Sequence, residues 1–137
     1  MSNEDKNILI IDDDVMVADL LGVLLSDRGY QTRVVNSAEA GIREFSQTRF
    51  NLVLCDIFME GMGGLDGITK MRASRAEVPI IAMSAGYNDM TADKALKAAK
   101  MIGASGVLAK PFDAKQMLSA VDVFLNKAAS EQDEEQS

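Results

Sequence analysis

The sequence predicts an α/β protein in which five parallel strands and five helices alternate along the chain as a three-layer sandwich. Five short runs rich in Val, Ile and Leu are separated by amphipathic stretches of helical length. The first, third and fourth runs are continuously apolar, as expected for strands that are covered on both faces. Strict alternation of strand and helix implies parallel strands joined by right-handed crossovers.

Local signals predict the elements in chain order. Apolar residues at helical spacing over residues 16–25 predict the first helix, and Gly29 follows it as a stop signal. Ser37 is a suitable N-cap for the second helix. Asp113 with Gln116 three residues later resembles a capping box at the start of the fifth helix. The predicted strands are Asn7–Ile11, Thr32–Val35, Asn51–Cys55, Val78–Met83 and Gly106–Ala109, and the third and fourth helices are Gly64–Ser74 and Thr91–Ile102.

The length of 137 residues suits one domain with a core of its own. We expect residues 1–6 to be a disordered N-terminus and residues 7–127 to form the domain. Residues 128–137, AASEQDEEQS, are polar and acidic and are expected to be a disordered tail. No stretch after the fifth helix is long enough for a second domain, so a single-domain protein is expected.

The composition excludes several classes of function. A net charge of −7 argues against nucleic acid as a direct partner, because no basic surplus exists to neutralise phosphates. No run of about 18 apolar residues predicts a membrane span, and the polar start MSNEDKN does not resemble a secretory signal. One cysteine, Cys55, cannot form an internal disulfide, which favours a reducing cytoplasm. We expect Cys55 to be a small buried hydrophobic residue.

The chain contains no histidine. This excludes Ser-His-Asp and Cys-His catalysis, histidine-ligated zinc and a phosphohistidine on this chain. Any chemistry must therefore come from carboxylates, hydroxyls, lysines and a metal ion.

Polar residues interrupt the apolar runs at their carboxyl ends. Asp12 and Asp13 end the first run, Asp56 the third, Ser84 the fourth and Lys110 the fifth. The carboxyl ends of parallel strands lie on one edge of the sheet, where ligands of such folds bind. We therefore expect these side chains to converge in one shallow pocket.

Converging carboxylates suit a hard divalent cation such as Mg²⁺, whose charge offsets their mutual repulsion. A carboxylate beside such an ion stays ionised and can attack phosphorus, while a lysine and a hydroxyl hold phosphoryl oxygens. No GxxxxGK[ST] loop is present in the sequence, which argues against nucleotide hydrolysis. The pattern favours transfer of one phosphoryl group to one aspartate.

The four strand-end motifs IIDDD, LCDIFM-x-GM-x-G, MSA and AKPF occur in the order typical of one family. Over about residues 7–127, the chain resembles the receiver domain of bacterial response regulators, in particular the single-domain chemotaxis regulator. The resemblance implies a flavodoxin-like (βα)5 fold with a five-stranded parallel sheet in the order 2-1-3-4-5. It also implies a two-component phosphoprotein that uses Mg²⁺.

The resemblance implies a role for each matched position. Asp12 and Asp13 match the acidic pair, with Asp13 the more direct magnesium ligand, and Asp56 matches the phosphoacceptor, which also binds the metal. The backbone carbonyl of Phe58 would complete the metal site. Ser84 and Lys110 match the hydroxyl and the lysine of the family, and the bond from Lys110 to Pro111 would be cis. Asp14 is expected to cap the first helix instead.

Four positions depart from the family pattern or bear on it, and one of them is Glu60, where receivers often have proline. Val107 stands where receivers often have an aromatic ring, so a readout based on ring rotation is not expected. Phe58 and Gly86 lie two residues beyond Asp56 and Ser84, where receivers influence the lifetime of the phosphoryl group. Neither residue offers a polar side chain to orient water, so we expect slow dephosphorylation.

The resulting hypothesis is a stand-alone switch that catalyses its own phosphorylation at Asp56 and signals through protein contacts. The phosphoryl group would come from a sensor histidine kinase or a histidine phosphotransfer protein, and a downstream protein would read the phosphorylated surface.

Three alternatives stay open. A haloacid-dehalogenase-like phosphatase also uses a strand-end aspartate, but its DxDx[TV] motif requires Thr or Val where Met16 stands. A flavodoxin-like electron carrier would need a Ser/Thr-rich phosphate loop after the first strand. The third alternative is a receiver-like binding module that is never phosphorylated.

Overall fold

A computed structural model of the protein describes residues 5–59, 62–84 and 92–136. Five strands form one parallel sheet in the order β2-β1-β3-β4-β5, and a helix follows each strand. The predicted fold class and strand order are therefore confirmed. The strands are β1 (Asn7–Ile11), β2 (Gln31–Val35), β3 (Leu52–Asp56), β4 (Ile80–Ser84) and β5 (Gly106–Ala109), and the helices are α1 (Val15–Asp27), α2 (Ala38–Gln47), α3 (Gly64–Ser74), α4 (Ala92–Met101) and α5 (Ala114–Gln136).

Two strands begin later than the sequence predicted, for local reasons. The fourth strand starts at Ile80 because Pro79, which lacks an N–H, cannot donate to the ladder. The third starts at Leu52; before it, Asn51 donates its N–H to the carbonyl of Asn7 at 2.8 Å, and its side chain accepts the N–H of Asn7 at 2.8 Å. Both strands extend one residue further than predicted, so Asp56 and Ser84 are their last residues.

The predicted helix caps are present. The carboxylate of Asp14 accepts the N–H groups of Met16 and Val17, and the hydroxyl of Ser37 accepts the N–H of Ala40. Asp113 and Gln116 exchange reciprocal hydrogen bonds of 2.9 and 2.7 Å, which confirms the capping box of α5. These caps fix where α1, α2 and α5 begin relative to the strands before them.

Alternate strand residues pack on opposite faces of the sheet and create two hydrophobic cores. On one face, the odd-numbered residues of β1 and β3 pack against α2, α3 and α4; on the other, their even-numbered residues pack against α1 and α5. Cys55 is fully buried in the first core, as predicted, and burial raises the pKa of its thiol. The covered sheet leaves its carboxyl edge as the place where the strand-end polar residues meet.

The predicted disorder of residues 128–137 and the predicted domain boundary both concern the C-terminal end of the chain. Helix α5 continues to Gln136, through most of the segment for which disorder was expected. Ala, Glu and Gln are good helix formers, so the composition of this segment permits the extension. The domain boundary at residue 127 stays a prediction, and residues 1–4, Glu60 and Gly86 lie outside the described residues. No helix in the described ranges is long and apolar enough to cross a membrane.

Candidate functional site

Asp12 is the first residue after β1 and is completely buried. Its N–H donates to the carbonyl of Val35 at 3.2 Å. Its Oδ1 accepts the N–H of Asp14 at 3.0 Å, and its Oδ2 accepts the ammonium of Lys110 at 3.0 Å. A buried carboxylate is tolerated only when it is paired in this way.

Asp56, the last residue of β3, is 6% exposed. Its Oδ1 accepts the N–H of Phe58 at 3.1 Å, and its Oδ2 accepts the ammonium of Lys110 at 3.2 Å. Helix α3 starts directly against this strand end, because Gly64 has no Cβ to strike the main chain; a Cβ there would lie 2.0 Å from the carbonyl oxygen of Asp56. The backbone on both sides of Asp56 is therefore tightly placed.

Lys110 joins the two buried aspartates. Its Nζ lies 3.0 Å from Oδ2 of Asp12 and 3.2 Å from Oδ2 of Asp56. Its N–H donates to the carbonyl of Ser84 at 2.8 Å, which ties the end of β5 to the end of β4. The peptide bond between Lys110 and Pro111 is cis, as the resemblance implied.

Ser84 is fully buried at the end of β4, the strand that pairs with β3 on one side and β5 on the other. The strand ends thus bring Asp12, Asp56, Ser84 and Lys110 to one edge of the sheet. Phe58 lies two residues beyond Asp56 and donates its N–H to the Asp56 carboxylate. A metal-binding role for the Phe58 carbonyl stays a prediction.

The acidic residues form a cluster that suits a cation. Asp12, Asp13 and Asp56 each offer a carboxylate oxygen, and these oxygens lie within 4.8 Å of one another. Asp13 is exposed, whereas the other two are buried. An all-oxygen set of this kind, open on one side, has the chemistry that Mg²⁺ prefers. The bridging ammonium of Lys110 shows that the same oxygens already attract positive charge.

Burial and mutual charge shift the pKa values of Asp56 and Lys110. Burial raises the pKa of Asp56 from 3.8 to about 6; Lys110 and the Phe58 N–H oppose this rise, and the charge of Asp12 adds to it. Burial alone would lower the pKa of Lys110, but the carboxylates of Asp56 and Asp12 outweigh it, so the pKa of Lys110 is raised. Above about pH 6, the site therefore holds an ionised Asp56 beside a charged lysine.

An apolar groove of about 660 Å³ lies between α1 and the start of α5, next to this site. Lys110 contributes to its wall as well as to the acidic cluster, and Leu20 of α1 is exposed along it. The other residues of the wall are Val17, Leu21, Leu24, Pro111, Phe112, Asp113, Ala114 and Met117. An apolar surface thus begins where the acidic cluster ends.

Two neighbours of the site were not predicted from the sequence. Asn36 donates from Nδ2 to the main-chain carbonyl of Asp12 at 3.0 Å. Glu39 at the start of α2 accepts the N–H of Met62 at 2.9 Å, which links α2 to the segment before α3. Asn36 lies in the connection between β2 and α2, Glu39 lies in the first turn of α2, and no sequence motif singles out either residue.

Comparisons with known proteins agree with this geometry. The model of one family, the response regulator receiver domain, matches residues 8–122. The sensory transduction protein RegX3 of Mycolicibacterium smegmatis is 30% identical over 127 residues, which cover 93% of this chain and 54% of RegX3. The transcriptional regulatory protein ZraR of Escherichia coli K12 is 30% identical over 125 residues, covering 91% of this chain and 27% of ZraR. The chain thus spans about half of the first relative and about a quarter of the second.

Among solved structures, the fold is similar to a CheY-like response regulator receiver domain protein from Methanospirillum hungatei JF-1. The TM-score is 0.84 at 25% sequence identity, and the match covers 92% of this chain and 98% of the other.

Proposed function

Since the chain belongs to the response regulator receiver domain family of two-component systems, we propose that it is a signalling switch whose Asp56 accepts a phosphoryl group. The observation that carries this proposal is the placement of the Asp56 carboxylate. It lies at a strand end, within hydrogen-bond distance of Lys110 and beside the carboxylates of Asp12 and Asp13. In this proposal Asp56 is the nucleophile, Lys110 is the cation that faces it, and Asp12 and Asp13 are metal ligands at the same edge of the sheet.

The reaction requires one bond to form and one to break. An oxygen of ionised Asp56 attacks phosphorus, and the bond from phosphorus to the donor nitrogen of a phosphohistidine breaks. In this proposal Lys110 neutralises negative charge on the phosphoryl oxygens, and the Ser84 hydroxyl donates a hydrogen bond to one of these oxygens. Mg²⁺ held by Asp12, Asp13, Asp56 and the Phe58 carbonyl would supply charge stabilisation for the transferred group.

A protein supplies the phosphoryl group in this proposal. The chain has no histidine, so the phosphohistidine must belong to a sensor histidine kinase or a histidine phosphotransfer protein. The groove lined in part by Lys110, with exposed Leu20 on its α1 wall, provides an apolar surface where such a donor can dock. Because Lys110 both lines this groove and contacts the Asp56 carboxylate, the groove suits the phosphoryl donor as its occupant.

The output of the switch is a contact with a downstream protein. The net charge of −7 supports a protein target over nucleic acid for the residues of this chain. A cytoplasmic location belongs to the same proposal. Val107 is half-buried and has no ring to rotate, so the phosphorylated state would be read through the main chain around Ser84 and Lys110 instead.

The test is intact-mass measurement after incubation with Mg²⁺ and acetyl phosphate. The parent should gain the mass of one phosphoryl group, Asp56→Asn should gain none, and Asp19→Asn, which alters an exposed aspartate on α1, should behave as the parent. If the parent gains nothing while still binding Mg²⁺, and also fails to bind fluoroberyllate, the chain is an unphosphorylated binding module.

A further inference from the structure

The side chain of Asn36 holds the main chain of the acidic pair. Its Nδ2 donates to the carbonyl oxygen of Asp12 at 3.0 Å, and the carbonyl of the preceding residue, Val35, accepts the N–H of Asp12 at 3.2 Å. The last residue of β2 and the residue after it therefore satisfy both main-chain hydrogen-bonding groups of Asp12.

The carbonyl of Asp12 is also half of the peptide group that leads to Asp13. Because a peptide group is planar, fixing the oxygen of Asp12 fixes the N–H of Asp13 and the direction in which its Cα leaves. Asp12 is additionally held through its buried carboxylate by Lys110 and by the N–H of Asp14. Asp13 is exposed, so burial does not orient it, and this peptide plane sets the direction from which its side chain enters the cluster.

Capping of α2 does not explain Asn36. The cap of that helix is Ser37, whose hydroxyl accepts the N–H of Ala40 at 3.1 Å. Asn36 is exposed, so it is not needed to fill the core either. The Asp12 carbonyl is the partner that the structure gives to its amide.

We propose that Asn36 is a positioning residue that sets the affinity of the acidic cluster for divalent cations by fixing the peptide between Asp12 and Asp13. Asn36 itself is not a ligand. Partners that orient metal ligands typically change affinity when they are removed, because a ligand that must be ordered on binding binds more weakly. The inference rests on the proposed function, since it requires that the cluster bind a cation.

The experiment measures Mn²⁺ dissociation constants by electron paramagnetic resonance at pH 8, together with urea unfolding of the same samples. Asn36→Ala should weaken Mn²⁺ binding by about fivefold to tenfold, as expected for loss of one hydrogen bond to a ligand-bearing segment. Ser37→Ala is the matched control: it removes the neighbouring helix cap, should lower the urea midpoint, and should leave Mn²⁺ affinity within about twofold.

A double variant tests the route through Asp13. In an Asp13→Asn background, Asn36→Ala should cause little further loss of affinity, because the ligand that it positions is already altered. Three results would each overturn the inference. The parent and Asn36→Ala could bind Mn²⁺ equally well, or Ser37→Ala could lose as much Mn²⁺ affinity as Asn36→Ala. The third is an undiminished loss of Mn²⁺ affinity from Asn36→Ala in the Asp13→Asn background. A parent that binds no Mn²⁺ would instead overturn the metal site of the proposed function, and the inference with it.

Discussion

Replacing Asp56 with Asn should stabilise the metal-free protein at pH 8. Burial raises the pKa of Asp56 from 3.8 to about 6, so the folded state holds this proton more tightly than the unfolded state. Stability from this group is therefore present at low pH and is lost as the pH rises from about 4 through about 6. One pKa unit corresponds to about 1.4 kcal/mol, so the ionised carboxylate costs up to about 3 kcal/mol. Screening by water at the open edge of the site reduces the expected gain in Asp56→Asn to about 1–2 kcal/mol.

Urea unfolding in EDTA at pH 8 and at pH 5 measures this gain. At pH 5 it should be about half as large, because most of the folded parent already carries a protonated Asp56. Asp19→Asn makes the same chemical change at an exposed position of α1 and should alter the free energy of unfolding by less than about 0.5 kcal/mol at both pH values. An Asp56→Asn variant that is no more stable than the parent at pH 8 would refute the argument that burial makes this carboxylate costly.

Four further outcomes follow from the same contacts. The apparent Mg²⁺ affinity of the parent, measured by calorimetry, should fall about tenfold from pH 7 to pH 5, because a proton competes for Asp56, and a flat profile would contradict its raised pKa. Lys110→Met should raise Mg²⁺ affinity, since the ammonium occupies the carboxylate oxygens that would bind the ion. The same variant should lower the free energy of unfolding of the metal-free protein in urea by about 2 kcal/mol. Unchanged Mg²⁺ affinity would show that Lys110 does not compete with the ion. Arg72→Lys should lower the free energy of unfolding by about 2 kcal/mol, because the guanidinium group donates to three main-chain carbonyls and one hydroxyl, and a lysine ammonium cannot reach all four acceptors. A loss under about 0.5 kcal/mol would refute the view that these four bonds stabilise the fold. Leu20→Asp should slow phosphotransfer from a histidine kinase on the order of tenfold and leave the rate with acetyl phosphate unchanged. Equal slowing of the two reactions would show that the substitution damages the phosphorylation site and not the docking of the kinase.

The sequence predicted the fold and the strand-end cluster because both depend on local patterns. Continuous apolar runs end at Asp12, Asp56 and Ser84, and in a parallel sheet this alone brings the residues to one edge. The caps were predictable for a similar reason, since an N-cap such as Asp14 bonds to N–H groups two and three residues away. Errors of one or two residues arose at the starts of the third and fourth strands, where Asn51 and Pro79 precede the first strand residue.

Long-range side-chain contacts away from the predicted strand-end cluster were not predictable. Asn36 lies 24 positions from Asp12, and Arg72 lies 31 positions from Gly103, whose carbonyl it contacts at 2.9 Å. Both are polar residues in ordinary polar surroundings of the sequence, and only the packing of α2 and α3 on the sheet defines their partners. The apolar face of α1 was visible as a helical pattern, but its exposed side was not, because almost the whole helix is apolar.

The two bonds of Lys110 suggest how phosphorylation would reach the surface. A phosphoryl group on Asp56 carries more negative charge than the carboxylate it replaces, and burial makes that charge costly unless a cation moves to it. The Nζ of Lys110 is shared between Asp12 and Asp56 in the structure, so a shift of Nζ toward phosphoryl oxygens on Asp56 would weaken its contact with Asp12. Pro111 and Phe112 follow Lys110 directly and form part of the apolar groove. A displacement of Lys110 would therefore change the shape of the groove, which couples the charge of Asp56 to a protein-binding surface without an aromatic residue at Val107.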